Sequence, residues 1–307
     1  ISRLCPGGVL FEQPGECQLQ PYCSMRSVLL LLVGSLVLSA CSGITIDEDT
    51  VFQPKASVTP QTFSVEGVRL DVRSIPVTEN MTVNAWHLTQ PQAETTVLFF
   101  GGNGFYLVQS TGYVRSLTRP SVNALLWDYR GYGRSDGSPS TEAVRSDAVA
   151  VYDSLVADPA VNPEEVVVWG HSMGTFLATH VARERTVGGV VLENPATNVE
   201  DWSSHLFPWY VRLFLGVDID PALKDDDNLE RVRALEVPLL VVGGTDDPVT
   251  NPEMARRLHA QAASDDKALV LVEGGAHNGL HGEPKVQAAY EALIETVQGP
   301  APQASRD

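Results

Sequence analysis

Apolar residues in this chain cluster into short runs separated by longer amphipathic stretches. The runs are Thr96–Phe100, Asn123–Trp127, Val166–Trp169, Val187–Leu192, Pro238–Val242 and Ala268–Val272. They lack the alternation of a half-exposed strand, so each predicts a strand buried on both faces, as in a parallel sheet covered by helices. Four stretches carry helical spacing instead: Glu142–Val156, Gly174–Glu184, Pro252–Ala263 and Glu283–Val297. Two earlier segments, Gln61–Pro76 and Met81–Leu88, do alternate and predict antiparallel strands at the start. This succession predicts an α/β fold: a mostly parallel, doubly wound sheet with helices on both faces. No repeat or linker interrupts residues 61–298, so a single domain is expected there, with a flexible tail over residues 299–307.

The N-terminal region reads differently. From Met25 the chain runs through Arg26 into 13 apolar or small residues, Val28–Ala40, and then Cys41. One positive charge, a short apolar stretch and small residues at its end predict a signal peptide over residues 25–40. The run falls short of the roughly 20 residues that span a bilayer as a helix. Leu38-Ser39-Ala40-Cys41 resembles a bacterial lipobox. That resemblance implies acylation of Cys41, export, and a membrane-anchored lipoprotein in the periplasm. Ser42 follows the cysteine, which favours the outer membrane where the organism has one. Residues 1–24 show no hydrophobic period and are read as an upstream, non-native extension. Residues 41–60 are read as a polar, acidic tether.

Charge narrows the choice of partner. Asp and Glu total 38 against 21 Lys and Arg, a formal charge of −17, which repels phosphate backbones and argues against nucleic-acid binding. Cys5, Cys17, Cys23 and Cys41 all precede the body of the chain, so a disulfide framework or thiolate zinc site inside the main domain is excluded.

The chemistry is concentrated at Gly170-His171-Ser172-Met173-Gly174, between a predicted strand and a predicted helix. This is the G-x-S-x-G nucleophile elbow in its strand–turn–helix setting. The turn is too tight for side chains two positions either side of the serine. A serine hydroxyl is a weak nucleophile at neutral pH and needs a base, which in turn needs an orienting acid. Both follow in order, each just after a predicted strand: Asp247 in Gly244-Thr245-Asp246-Asp247-Pro248-Val249, and His277 in Gly274-Gly275-Ala276-His277. Asp246, expected in a solvated turn, and His281, expected at the surface, remain their rivals. His171 is expected to pack or bond beside the elbow. The Met173 N–H and that of Asn103, in Gly101-Gly102-Asn103-Gly104, are the candidate oxyanion donors. Asp225-Asp226-Asp227 lacks the spacing of a calcium loop and reads as a solvated turn. No metal or cofactor is called for by this chemistry.

Together these motifs resemble the α/β-hydrolase superfamily, in particular the BEM46-like and ABHD12/13-type serine hydrolases, over residues 80–297. Asp128-Tyr129-Arg130-Gly131-Tyr132-Gly133 strengthens the resemblance, and by it Asp128 and Arg130 are expected to fix the loop beside the oxyanion site. The family often has His-Gly-Asn where this chain has Gly101-Gly102-Asn103. The resemblance also implies a lid between Asn194 and Val237. Its apolar residues, Trp202 to Leu215, would either cover an acyl pocket or face the core. The implied activity is acyl transfer from a small-molecule or lipid ester, with a peptidase or amidase, or a non-catalytic binding lipoprotein, as alternatives.

Overall fold

A computed structural model of the protein describes residues 43–55 and 65–299. The readings placed on residues 1–24, on the signal peptide, on Cys41 and on residues 300–307 lie outside the described residues.

The apolar runs become strands because their side chains are buried on both sides of a sheet. β1 is Ile44–Ile46, β2 Arg69–Thr78, β3 Met81–Thr89, β4 Thr96–Phe100 and β5 Asn123–Trp127. β6 is Val166–His171, β7 Gly189–Glu193, β8 Val217–Ile219, β9 Leu239–Gly244 and β10 Lys267–Val272. Eight of them form one sheet in the order β10-β9-β7-β6-β4-β5-β3-β2. From β10 to β5 every pairing is parallel, whereas β2–β3 and β3–β5 are antiparallel. β4, β6 and β7 are buried along their whole length, as uninterrupted apolar runs require.

The principal helices are α1 (Glu48–Val51), α2 (Thr111–Leu117), α3 (Thr141–Val156), α4 (Gly174–Glu184) and α5 (Val199–Leu206). They continue with α6 (Trp209–Phe214), α7 (Asn228–Val232), α8 (Pro252–Gln261) and α9 (Pro284–Gln298). Side-chain caps begin several of them: Ser140 accepts from the Ala143 N–H, and Asn251 from the Glu253 N–H before Pro252. The main core draws on residues from Phe52 to Ile294 and includes Trp127, Trp169 and Tyr290, all fully buried. Among the described residues no helix is long and apolar enough to cross a membrane.

Three expectations need correction. Residues 44–52 are not a featureless tether. β1 pairs in parallel with β8, Asp47 caps α1 by accepting from the Thr50 N–H, and Ile46 and Phe52 are buried. Two isoleucines either side of a threonine, followed by acids, give too short a pattern to reveal a strand whose partner lies more than 170 residues away. Asp226 is not solvated: it is buried and paired with Arg145 and Arg231, while Asp227 caps α7. Finally, Arg130 does not hold the oxyanion loop; it forms a two-pronged ion pair with the fully buried Asp147 of α3.

Candidate active site

Ser172 stands at the tip of β6, an interior strand of the sheet, where β4 lies on one side and β7 on the other. Its φ is +51°, a left-handed backbone that side chains rarely adopt, so the turn stores strain at the residue that projects from it. The flanking glycines are obligatory on steric grounds. A Cβ on Gly170 would lie 2.4 Å from the Gly174 carbonyl oxygen, and one on Gly174 would lie 2.1 Å from that of Phe100. The Ser172 N–H donates to the Glu193 carbonyl at 2.9 Å, which ties the elbow to β7.

The loops after β9 and β10 bring Asp247 and His277 to the same rim. His277 Nε2 lies 2.9 Å from Ser172 Oγ, and its Nδ1 lies 2.7 Å from Asp247 Oδ2. A carboxylate can only accept, so Nδ1 carries the proton and Nε2 is free to accept from the serine. Asp247 also accepts from the N–H groups of Val249 and Thr250 and from the Thr250 hydroxyl. Burial pushes its carboxyl pKa up, but the hydrogen bonds from His277 and Thr250 outweigh burial and hold it below the ordinary carboxylate value. Asp246, the rival acid, is exposed on the other side of the turn.

His281, expected at the surface, is instead turned inward. Its ring stacks on Tyr113 at 3.8 Å, and its main-chain N–H donates to the carboxylate of the fully buried Glu193 at 3.0 Å. Burial pushes the Glu193 carboxyl up, yet it is held low by His281, by the nearby His171 and by the Trp169 indole N–H. His171 lies beside the elbow, its Nε2–H donating to the His277 carbonyl at 3.0 Å. Burial lowers the His171 pKa, which favours the neutral ring at the centre of this cluster.

The two residues that carry the candidate oxyanion donors line one cavity. Met173 precedes the first residue of α4, so its N–H belongs to the positive end of that helix. Asn103 lines the same cavity as Met173, Ser172 and His277. The Tyr129 hydroxyl holds its loop by donating to the Gly101 carbonyl at 2.7 Å, and Asp128 accepts from the Leu107 N–H at 2.9 Å. The departure at Gly101 has a steric cause, because the Phe105 ring occupies the space a side chain would need, 2.1 Å from a Cβ placed there.

Two cavities share Ser172, His277 and Asn103. One, of about 240 Å³, is walled by Phe52, Val144, Phe176, Leu177, Val199, Trp202 and Leu223, with the Arg145–Asp226 pair also on its lining. The other, of about 350 Å³, is lined by Gly102, Tyr106, Gln109, Tyr113 and Asn278. The stretch divides, α5 covering a cavity as expected and α6 doing what neither expectation described. α5 turns Val199 and Trp202 towards the first cavity, whereas α6 leaves Trp209 and Phe214 exposed.

Asn194 and Thr250 were not singled out from sequence. Asn194, buried and at φ +47°, uses its side-chain amide to bridge the loops that carry the acid and the base. An isolated Asn after an apolar run is the one signal it offered, because Asn tolerates left-handed backbone.

A strained serine elbow on an interior strand, with acid and base delivered by later crossovers of a parallel sheet, places the protein among the α/β-hydrolases, as a serine hydrolase. The relevant family model is described as serine aminopeptidase, S33, and matches residues 91–219 and 225–285. The chain belongs to that family.

Among its relatives is the uncharacterized protein Rv2307c of Mycobacterium tuberculosis, 27% identical over 284 residues, covering 89% of this chain and 98% of that one. Lysophosphatidylserine lipase ABHD12 of Macaca fascicularis is 37% identical over 221 residues, covering 60% of this chain. The chain spans 54% of that lipase. The esterase Pf2001 of Pyrococcus furiosus superposes with a TM-score of 0.66 over 81% of this chain and 98% of its own, at 16% identity, a likeness of fold.

Proposed function

We propose that the protein hydrolyses carboxylic esters of acyl substrates, as a carboxylesterase or lysophospholipase, through an acyl-enzyme on Ser172. The carrying observation is the unbroken hydrogen-bond chain from Ser172 Oγ through His277 to Asp247, opening onto an apolar cavity. In this reading Ser172 Oγ attacks the carbonyl carbon as its proton passes to His277 Nε2. Asp247 holds the imidazole in the required tautomer and stabilises the imidazolium. The negative oxygen of the tetrahedral intermediate takes hydrogen bonds from the N–H groups of Met173 and Asn103, each worth about 3 kcal/mol. His277 then returns the proton to the departing alkoxide oxygen, and water attacks the acyl-enzyme with His277 again as base.

The two cavities support a division of the substrate. The apolar one suits an acyl chain, and the cleft lined by Tyr106, Gln109 and Asn278 suits the leaving group. Similarity to ABHD12, a lysophosphatidylserine lipase, supports a lipid ester over a simple one. The family description, serine aminopeptidase, favours a second reading in which the same groups cleave an amide.

A fluorophosphonate probe tests the catalytic reading. Labelling of the wild type at Ser172, absent in Ser172→Ala, is the expected result; folded wild type that resists the probe would favour a binding protein. p-Nitrophenyl esters of increasing chain length, compared with the matching anilides, then separate esterase from amidase. We also propose that Cys41 carries the lipid and anchors the protein to a membrane, with the outer membrane facing the periplasm as the expected site. Incorporation of an alkynyl fatty acid, abolished in Cys41→Ser, is the outcome that supports this.

A further inference from the structure

The lid is apolar on two faces, and only one of them is used inside the molecule. Towards the cavity, Val199 and Trp202 of α5 join a small cluster with Ile46, Phe176 and Leu223. Facing outward, Trp209, Tyr210, Leu213 and Phe214 of α6 are 76%, 54%, 70% and 76% exposed. Spacings of one, four and five residues put these four on one side of the helix. Apart from Leu206 at the end of α5 and a distant Val72, they are the exposed large hydrophobic side chains of the described residues. Such a concentration marks an interaction surface, and paired Trp and Tyr are characteristic of the zone between water and lipid.

The path of the chain says what covers it. Ile44, the first residue of β1, donates its N–H to the carbonyl of Gly216 at 2.7 Å. Gly216 stands two residues beyond Phe214. Cys41 lies three residues before Ile44 and so can be no farther from it than about 10 Å of extended chain. A lipid on Cys41 would thus enter the bilayer beside α6. Charge points to apolar rather than ionic contact: the chain is strongly acidic, and Arg212, the one cation of α6, is bonded to Ser204.

We propose that the outer face of α6 docks into the interfacial zone of a lipid bilayer, next to the anchor, so that the lid over the acyl cavity lies against the membrane. This rests on the anchored, lipid-cleaving reading above, and its test separates the two. The full chain is reconstituted into phosphatidylcholine vesicles whose acyl chains are brominated near the headgroup. Trp209 is one of five tryptophans; Trp86, Trp127 and Trp169 are buried and Trp202 faces the cavity. Docking predicts bromolipid quenching in the wild type that disappears in Trp209→Phe, and that persists in high salt.

Equal quenching in both proteins, or none, overturns the proposal. So does Trp209 shielded from aqueous acrylamide without lipid quenching, which would place residues 28–40 on the patch. A vesicle-free dimer lost in Leu213→Ser/Phe214→Ser, without lipid quenching, would place a second copy there. That double variant, altered only at exposed positions, supplies a second measurement. Hydrolysis of a vesicle-borne long-chain ester should fall at least about tenfold, with a water-soluble short-chain ester unaffected. Equal loss on both substrates counts against docking. Wild type inactive on every ester removes the esterase reading but leaves the quenching result to decide docking.

Discussion

The side-chain amide of Asn194 donates to the main-chain carbonyl of His277 at 2.7 Å. Its Oδ1 accepts from the Gly244 N–H at 3.0 Å, so one buried side chain spans the loops that carry the acid and the base. Its own carbonyl accepts from the Thr250 hydroxyl, which also donates to Asp247. Asn194→Ala should leave the Gly244 donor unpaired and relax the His277 loop. Stability is expected to fall by about 1–3 kcal/mol, and kcat by up to about a hundredfold through misplacement of the imidazole. Asn194→Asp should be worse, because a carboxylate would face the His277 carbonyl. Urea denaturation beside steady-state kinetics checks both; unchanged kcat in either variant would remove Asn194 from a positioning role.

The elbow should reject even a methyl group. Gly174→Ala drives a Cβ to 2.1 Å from the Phe100 oxygen, where neither backbone can yield cheaply. A loss of about 3 kcal/mol or more is expected. Gly104→Ala, with nothing within 4 Å of the new Cβ, serves as the neutral control. Thermal denaturation of the two variants makes the comparison.

Asp247 has a definite sign in its pH dependence. Its folded pKa lies below the ordinary value, so the ionised carboxylate stabilises the fold. That contribution is complete above the unfolded value of about 4 and is lost as pH falls through the lower folded value. The stability gap between wild type and Asp247→Asn should be constant near neutrality and narrow in acid. Equilibrium unfolding as a function of pH measures it. At neutral pH the same variant should lose roughly 10⁴ in kcat, since the amide favours the wrong histidine tautomer.

Trp202 is the lid residue best placed to limit acyl length, because it lines the cavity from α5. Trp202→Ala enlarges the cavity and should shift kcat/KM towards longer or bulkier acyl groups by about 10- to 100-fold. A chain-length series of p-nitrophenyl esters reads this out; parallel loss on every ester would indicate a role in stability alone.

The loop after β5 offers a further test. Asp128 is buried, which raises its carboxyl pKa, yet it accepts from the Leu107 N–H and the Asn84 amide. Asp128→Ala should strand those donors at a cost of about 1–3 kcal/mol each. Tyr129→Phe removes the donor to the Gly101 carbonyl and should lower kcat more than it raises KM, as expected if the Asn103 N–H acts on the transition state. A rise in KM alone would separate Tyr129 from the oxyanion loop.

Sequence alone determined the interior of the sheet. β4 and β5 coincide with their apolar runs, because a strand covered on both faces is apolar along nearly all its length, with only Thr96 and Asn123 polar at their starts. It also fixed the elbow, since only glycine fits two residues either side of Ser172, and the order in which acid and base follow. Sequence already favoured Asp247 over Asp246 and His277 over His281. Only the folded chain shows the contacts that go with that choice, His277 bonding Asp247 and Ser172 while Asp246 is exposed and His281 stacks on Tyr113. Tertiary structure alone revealed Glu193 and Asn194, whose polar groups are buried where partners distant in sequence satisfy them. The pairing of Ile44 with Val217 was hidden for the same reason: a long-range contact leaves no local period, and only the folded chain brings its two halves together.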